Sequence, residues 1–217
     1  MSELQDGRVG ADGVWRDIAA AGRTTRGRPA LFLDRDGVVV DYVAFLHRPE
    51  EVSLIDGIAR LIGAARQAGA PVVVVTNQSG VGRGYYGWHD FAAVQDEIRA
   101  RLAVLGAGLD AVLACPFHGD ANPPYRHGDH PARKPNPGML VSAAELLGSD
   151  LKRSWMIGDR ALDVMAARNA GLAGGLLLAK DATADEARDA LSLARQGFAV
   201  ARIGHLDEAR RHIDWLA

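Results

Sequence analysis

Three aspartates and a threonine stand at or just past the ends of short apolar runs in this chain of 217 residues, and a lysine closes a proline-rich stretch. Leu33 is followed by Asp34-Arg35-Asp36-Gly37 and Val75 by Thr76-Asn77-Gln78-Ser79-Gly80. A proline-rich stretch closes with Arg133-Lys134-Pro135, and Ile157 leads into Gly158-Asp159-Arg160, with Asp163 one helical turn further on. Brought together, Asp34, Asp36 and Asp159 would repel and take up protons unless a cation neutralised them. Hard carboxylate oxygens favour Mg2+, which keeps several waters and leaves room for a phosphate oxygen. Thr76 can donate a hydrogen bond to phosphate, and Lys134 supplies a point charge. Lysine is scarce: Lys134, Lys152 and Lys180 are the only ones among 25 lysines and arginines, so one at this place is informative. A carboxylate beside a neutralised phosphate is a competent nucleophile, and the chemistry indicated is phosphoryl transfer.

Such residues meet only if the elements bearing them lie side by side. Apolar runs at 30–34, 71–76, 111–115, 154–158, 175–179 and 198–203 alternate with helical patterns at 57–68, 88–105, 138–147, 161–170, 184–195 and 206–216. Runs such as Val72-Val73-Val74-Val75 are apolar at every position, as expected of strands buried on both faces. Gly69 and Gly171 mark helix ends. The pattern predicts an α/β fold, a Rossmann-like open, mostly parallel sheet with helices on both faces. In such sheets ligands bind beyond the carboxyl ends of the strands, where the polar residues above would stand. Residues 1–29, rich in Gly, Arg and Asp, read as an N-terminal arm that offers chiefly Val14, Trp15, Ile18 and residues 19–21 for burial; 30–217 read as one domain.

The segments Asp34-Arg35-Asp36-Gly37, Thr76-Asn77-Gln78-Ser79-Gly80, Arg133-Lys134-Pro135 and Gly158-Asp159…Asp163 resemble the four ordered motifs of the haloacid dehalogenase (HAD) superfamily. The run from Ser79 through Gly80, Val81, Gly82 and Arg83 to Gly84, with Pro135-Asn136-Pro137-Gly138-Met139, is most similar to the heptose-bisphosphate and histidinol-phosphate phosphatase branch. The resemblance implies a nucleophile, Asp34, that becomes an aspartyl phosphate, and an acid and base, Asp36. It implies Mg2+ on the Asp34 carboxylate, the Asp36 main-chain carbonyl and Asp159, with Asp163 orienting that shell. Thr76, Asn77 and Lys134 would hold the phosphate, and Arg83 and Arg133 the rest of a sugar phosphate. The segment between Asp36 and Gly57 is too short for a cap domain, so a HAD core without a large cap is expected. The substrate implied is a heptose bisphosphate, with histidinol phosphate as the alternative.

Residues 116–137 break the alternation and carry three histidines. The heptose-phosphatase branch commonly has a zinc loop here, but His130 and Ala132 stand where its second pair of cysteines would be. A zinc set of Cys115, His118, His130 and His127 is chemically acceptable, since zinc takes mixed Cys/His tetrahedra; stiffening by the prolines without metal is the other reading. The near-neutral balance, formally −2, argues against nucleic acid as a partner, and no apolar run approaches the ~20 residues of a membrane span. The single cysteine fits a reducing compartment, so a cytoplasmic monomer or small homo-oligomer acting on a small phosphorylated sugar is expected. A competing class is a phospho-accepting signalling domain without turnover. Such a domain also gathers carboxylates, Thr and Lys at strand ends, but its acceptor aspartate follows a middle strand of the sequence, not the first.

Overall fold

A computed structural model of the chain describes residues 7–19, 25–179 and 183–216. Seven strands form one sheet in the order β1-β4-β3-β2-β5-β6-β7. They are β1 (Trp15–Ile18), β2 (Leu31–Leu33), β3 (Val72–Asn77), β4 (Ala111–Cys115), β5 (Trp155–Gly158), β6 (Gly174–Leu178) and β7 (Ala199–Ile203). The six from β2 onward run parallel, and β1 is antiparallel to β4. The helices are α1 (Ile58–Gln67), α2 (Ser79–Arg83), α3 (Trp88–Val104), α4 (Gly138–Leu147), α5 (Ala161–Asn169) and α6 (Ala184–Leu191). No helix among the described residues is long and apolar enough to cross a membrane.

The continuous apolar runs follow from burial on both faces. Leu31, Leu33, Val72 and Val74 belong to one core with Ile58 and Leu61 of α1 and Phe91 and Ile98 of α3. Their neighbours Phe32, Val73 and Val75 belong to the other, with Leu140 of α4 and Val164 of α5. Successive side chains of a strand point to opposite faces, so only a sheet covered twice can bury them all. β2 lies at the centre: Leu31 pairs with Val72 on one side and Trp155 on the other. The chain therefore leaves β2 toward one edge and returns to build the other, which opens a crevice at the end of β2.

Four expectations change. Trp15–Ile18 of the expected arm joins the sheet; Trp15 is fully buried, edge-on to Phe91 at 4.9 Å. Four residues with a polar middle carry too little periodicity to be read as a strand. Residues 20 and 21 of the run noted above lie outside the described residues. The stretch after Gln78, outside every helical pattern given above, begins with the short helix α2. α6 ends at Leu191 rather than 195, where the chain turns back through Gly197 (φ 81°) to enter β7. Residues 206–216 form two 3-10 helices, Leu206–Arg211 and Asp214–Leu216, instead of an α-helix. Leu206, Ala209, Ile213 and Leu216 are nonetheless all buried. Burial of these anchors, with the Arg60–Asp207 pair at 2.9 Å, fixes the segment, and a stretch this short gains little from α-helical propagation.

Candidate active site

The carboxyl ends of β2, β3 and β5 and the loop after β4 deliver the polar motifs to one cleft of about 220 Å3. Asp34, Asp36, Thr76, Asn77, Arg133, Lys134 and Asp159 line it, Tyr42, Arg160 and Leu162 complete its wall, and the expected residues Arg83 and Asp163 are not part of that wall. Gly37 lies in the left-handed region (φ 81°), and a Cβ there would come within 2.5 Å of Asp159 Oδ2. A side chain at this position would push Asp159 away from the loop that carries Asp34 and Asp36. A larger hollow of about 450 Å3 beside α1 is walled by Leu54, Ile55, Ile58 and Leu105. Its charged residues, Asp56 and Arg60, are already paired with His205 and Asp207, so it lacks convergent free donors.

Lys134, essentially buried, organises the floor of the cleft. Its Nζ lies 2.8 Å from Asp34 Oδ1 and 2.7 Å from Asp163 Oδ1, and donates to the Val75 carbonyl at 2.8 Å. Asn77 fixes the lysine's backbone from both ends: Lys134 N donates to Asn77 Oδ1, and Asn77 Nδ2 to the Lys134 carbonyl. Asp34 Oδ1 also accepts from the Arg35 backbone N–H at 2.8 Å, which leaves Oδ2 with no donor among the described residues. Asp163 is fully buried; besides Lys134 it accepts from the Arg160 backbone N–H at 3.1 Å. Its Oδ2 takes that bond and its Oδ1 has only the Lys134 ion pair, as suits a residue that positions Lys134.

The charges do not balance. Asp34, Asp159 and Asp163 offer carboxylate oxygens within 4.8 Å of one another, against the buried ammonium of Lys134 and the half-exposed Arg160, 3.8 Å from Asp159. Burial raises the Asp34 carboxyl well above the usual range, Lys134 pulls it back, and Asp163 and Asp159 raise it again. Burial, then the charge of Asp163, pushes Asp159 up to about 6. Burial alone would lower Lys134, but Asp163 and Asp34 more than reverse this and hold it protonated. Buried carboxylates in excess, all with oxygen donors, fit a hard divalent cation.

Asp36 stands apart from that excess. Its carboxylate takes a fork from the buried Arg35, Nε to Oδ1 at 2.9 Å and Nη2 to Oδ2 at 3.0 Å, and a third bond from Gln78 Nε2 at 3.1 Å. Its side chain is thus not among the clustered carboxylates, which include Asp163 in its place. Arg133 reaches the cleft while donating to the Phe117 carbonyl at 2.9 Å. Arg83 instead bonds His118 at 3.1 Å and lies 3.7 Å from Asp120, within the proline-rich loop. Arg35, Gln78, Arg160 and Tyr42 were not singled out as site residues from sequence. Arg35 and Gln78 lie inside recognised motifs, and that position was the available signal.

The zinc donors do not converge: Asp34, Asp159 and Asp163 form the only group of three or more metal-type side chains gathered among the described residues. Cys115 is buried in β4, where burial lifts its thiol to about 11. His130 lies flat on Phe117, ring centroids 3.7 Å apart, and its Nδ1 accepts from the Ala132 N–H.

Residues 131–204 match the HAD-hydrolase-like family model. The D-glycero-beta-D-manno-heptose-1,7-bisphosphate 7-phosphatase of Mesorhizobium japonicum is 45% identical over 166 residues, 76% of each chain. The D-glycero-alpha-D-manno-heptose-1,7-bisphosphate 7-phosphatase of Burkholderia mallei is 38% identical over 173 residues, 80% of this chain and 88% of the other. A crystal structure of a HAD-like phosphatase from Mesorhizobium loti superposes with a TM-score of 0.85 at 38% identity, covering 96% of this chain and 95% of that one. The D,D-heptose 1,7-bisphosphate phosphatase of B. bronchiseptica, complexed with magnesium and phosphate, gives a TM-score of 0.69 at 30% identity over 87% and 99%. With the four motifs meeting in one cleft of a shared fold, the chain belongs to the HAD-type phosphatases, in their heptose-bisphosphate phosphatase family.

Proposed function

We propose that this chain is a Mg2+-dependent phosphomonoesterase that removes the 7-phosphate of D-glycero-D-manno-heptose 1,7-bisphosphate through an aspartyl-phosphate intermediate. One observation carries the chemistry. Lys134 is shared between Asp34 and Asp163 at the cleft, so the nucleophile is held through Oδ1 while Oδ2 has no donor among the described residues. The substrate is supported by the names of relatives at 45% and 38% identity.

In this reading Asp34 Oδ2 attacks the phosphorus, and the bond from phosphorus to the sugar oxygen breaks as that oxygen takes a proton from Asp36. Asp36 then accepts a proton from the water that attacks the phosphorus, and Asp34 leaves as a free carboxylate. The Thr76 hydroxyl donates to a phosphate oxygen; the Lys134 ammonium, already directed at Asp34, Asp163 and the Val75 carbonyl, acts on the phosphate through its charge, with Asn77 fixing the lysine's backbone. Asp34, Asp159 and the Asp36 main-chain carbonyl would hold Mg2+, which when bound supplies charge that offsets the phosphate oxygens. Arg133 is placed to meet the remainder of the sugar phosphate.

The test is a ranking of kcat/KM over sugar monophosphates, both anomers of the heptose bisphosphate, and histidinol phosphate. Preference for the heptose bisphosphate, with product retaining its C1 phosphate, is expected. A higher kcat/KM on histidinol phosphate would reject the substrate, and a phosphorylated protein that never turns over would reject the enzyme.

A further inference from the structure

Behind the cleft lies a buried polar chain that the reaction above does not use. Gln78 is 2% exposed and reaches three groups: Nε2 donates to Asp36 Oδ2 at 3.1 Å and to Thr76 Oγ1 at 2.8 Å, while Oε1 accepts from the Tyr86 hydroxyl at 2.5 Å. The direction of these bonds is fixed by chemistry. Asp36 Oδ2 already accepts from Arg35 Nη2, so it is an acceptor even when Oδ1 carries the acid proton; the group facing it is the amide NH2 and the far end is the carbonyl oxygen. That oxygen needs a donor, so Tyr86 must donate. Thr76 Oγ1 then accepts from Gln78, and its own proton is left over to point elsewhere.

The surroundings hold Tyr86 to this task. Its ring is buried and stacks on His47 at 5.5 Å, nearly parallel. Burial pushes the phenol up to about 12, so it remains a donor throughout the working range. Gly80 makes room for the ring: a Cβ there would lie 2.2 Å from Tyr86 Cε1. On the other side of Asp36, Arg35 has its guanidinium over Phe91 at 5.3 Å and forks onto the same carboxylate.

We propose that Gln78, oriented by the Tyr86 hydroxyl, is a positioning residue that sets the acid carboxylate of Asp36 and the phosphate-binding hydroxyl of Thr76 at the same time. One amide group pins Asp36 Oδ2 and forces the Thr76 proton toward the phosphate, so proton delivery and phosphate grip are aligned by a single side chain. This extends the proposed phosphatase reading and rests on it.

The test compares single-turnover phosphate transfer from the heptose bisphosphate and from 4-nitrophenyl phosphate, in wild type, Gln78→Leu and Tyr86→Phe with Mg2+ present. A sugar alkoxide leaves only with a proton, whereas 4-nitrophenolate leaves without one, so misplacing the acid slows the first substrate selectively. Gln78→Leu should slow the sugar phosphate by about ten-fold or more beyond its effect on 4-nitrophenyl phosphate. Tyr86→Phe, which keeps the ring and its packing, should show the same selectivity at about three-fold, with KM for the sugar changed less than kcat. Equal slowing of both substrates in Tyr86→Phe would overturn the proposal, and that variant alone decides if Gln78→Leu does not fold. A wild type that transfers phosphate from neither substrate would instead reject the phosphatase reading itself.

Discussion

The carboxylate cluster at the ends of β2 and β5 and the proline-rich loop after β4 hold similar kinds of side chain and put them to opposite use. In the cluster, three aspartates crowd round one lysine, and their oxygens come within 4.8 Å of one another. At the end of β4 and in the loop, a cysteine and three histidines are close in sequence, but no three of them gather as metal donors among the described residues. Cys115 faces the core, His118 bonds Arg83, and His130 accepts a backbone N–H while stacking on Phe117. Burial lowers both His118 and His130, the former further depressed by Arg133 and Arg83 and the latter by His127. Residue type makes a metal site possible; convergent, unspent donor atoms make one.

The largest effect should come from the cluster's centre. Asp34→Asn keeps the shape and the Oδ1 contacts but removes the nucleophile, so phosphate release should fall by more than about 10³-fold while the circular dichroism spectrum is unchanged. Retained turnover would move the covalent step elsewhere. Next in size is metal removal. Exhaustive chelation should abolish activity, and Mg2+ added alone should restore it fully, with no zinc retained by elemental analysis. A requirement for zinc in that reconstitution would erase the contrast between the two regions.

The carboxyl groups also give the contrast a pH signature. Asp159 is raised to about 6 from an unfolded value of 3.8, and Asp34 is raised too. A carboxyl with a raised folded pKa contributes stability that is fully present below the unfolded value and lost as pH rises through the folded one. The metal-free protein should therefore lose stability from about pH 4 to above pH 6, by about 3 kcal/mol for Asp159 alone. Mg2+ relieves the same repulsion, so the difference in Tm with and without it should widen from pH 5 to pH 8. A constant difference would mean that these carboxyls do not hold the cation.

Legibility in sequence followed the same division. Asp34, Asp36, Thr76 and Asp159 could be placed because each follows an apolar run, and the strand ends of a parallel sheet share one edge. Lys134 was legible through its rarity. The Arg35–Asp36–Gln78–Tyr86 chain was not, because periodicity says which way a backbone runs and not where a buried side chain ends. Arg83 lies off the cleft wall for a related reason: an arginine's reach is long, and here it meets His118 and Asp120. β1 was missed since four residues paired along one edge need no repeating pattern. The loop's histidines were the hardest, because a stacked histidine and a ligating one look alike until the ring's neighbours are known.

That last ambiguity sets the smallest effect and the sharpest comparison. His130→Ala removes a ring lying parallel to Phe117 within 7°, its edge contact to His127 at 5.3 Å, and the acceptor for the Ala132 N–H. These are packing and local hydrogen-bond terms, so the cost should be about 1–2 kcal/mol of stability and a fall of a few degrees in Tm. The His130 carbonyl still receives the Arg133 N–H at 2.8 Å, which keeps the approach to Lys134 in place. With Mg2+ as the sole added metal, kcat/KM should therefore stay within about two-fold of wild type. A collapse of activity that tracks the loss of a bound metal would show that the loop's donors converge in solution, and would place His130 beside the aspartates as a metal-binding side chain.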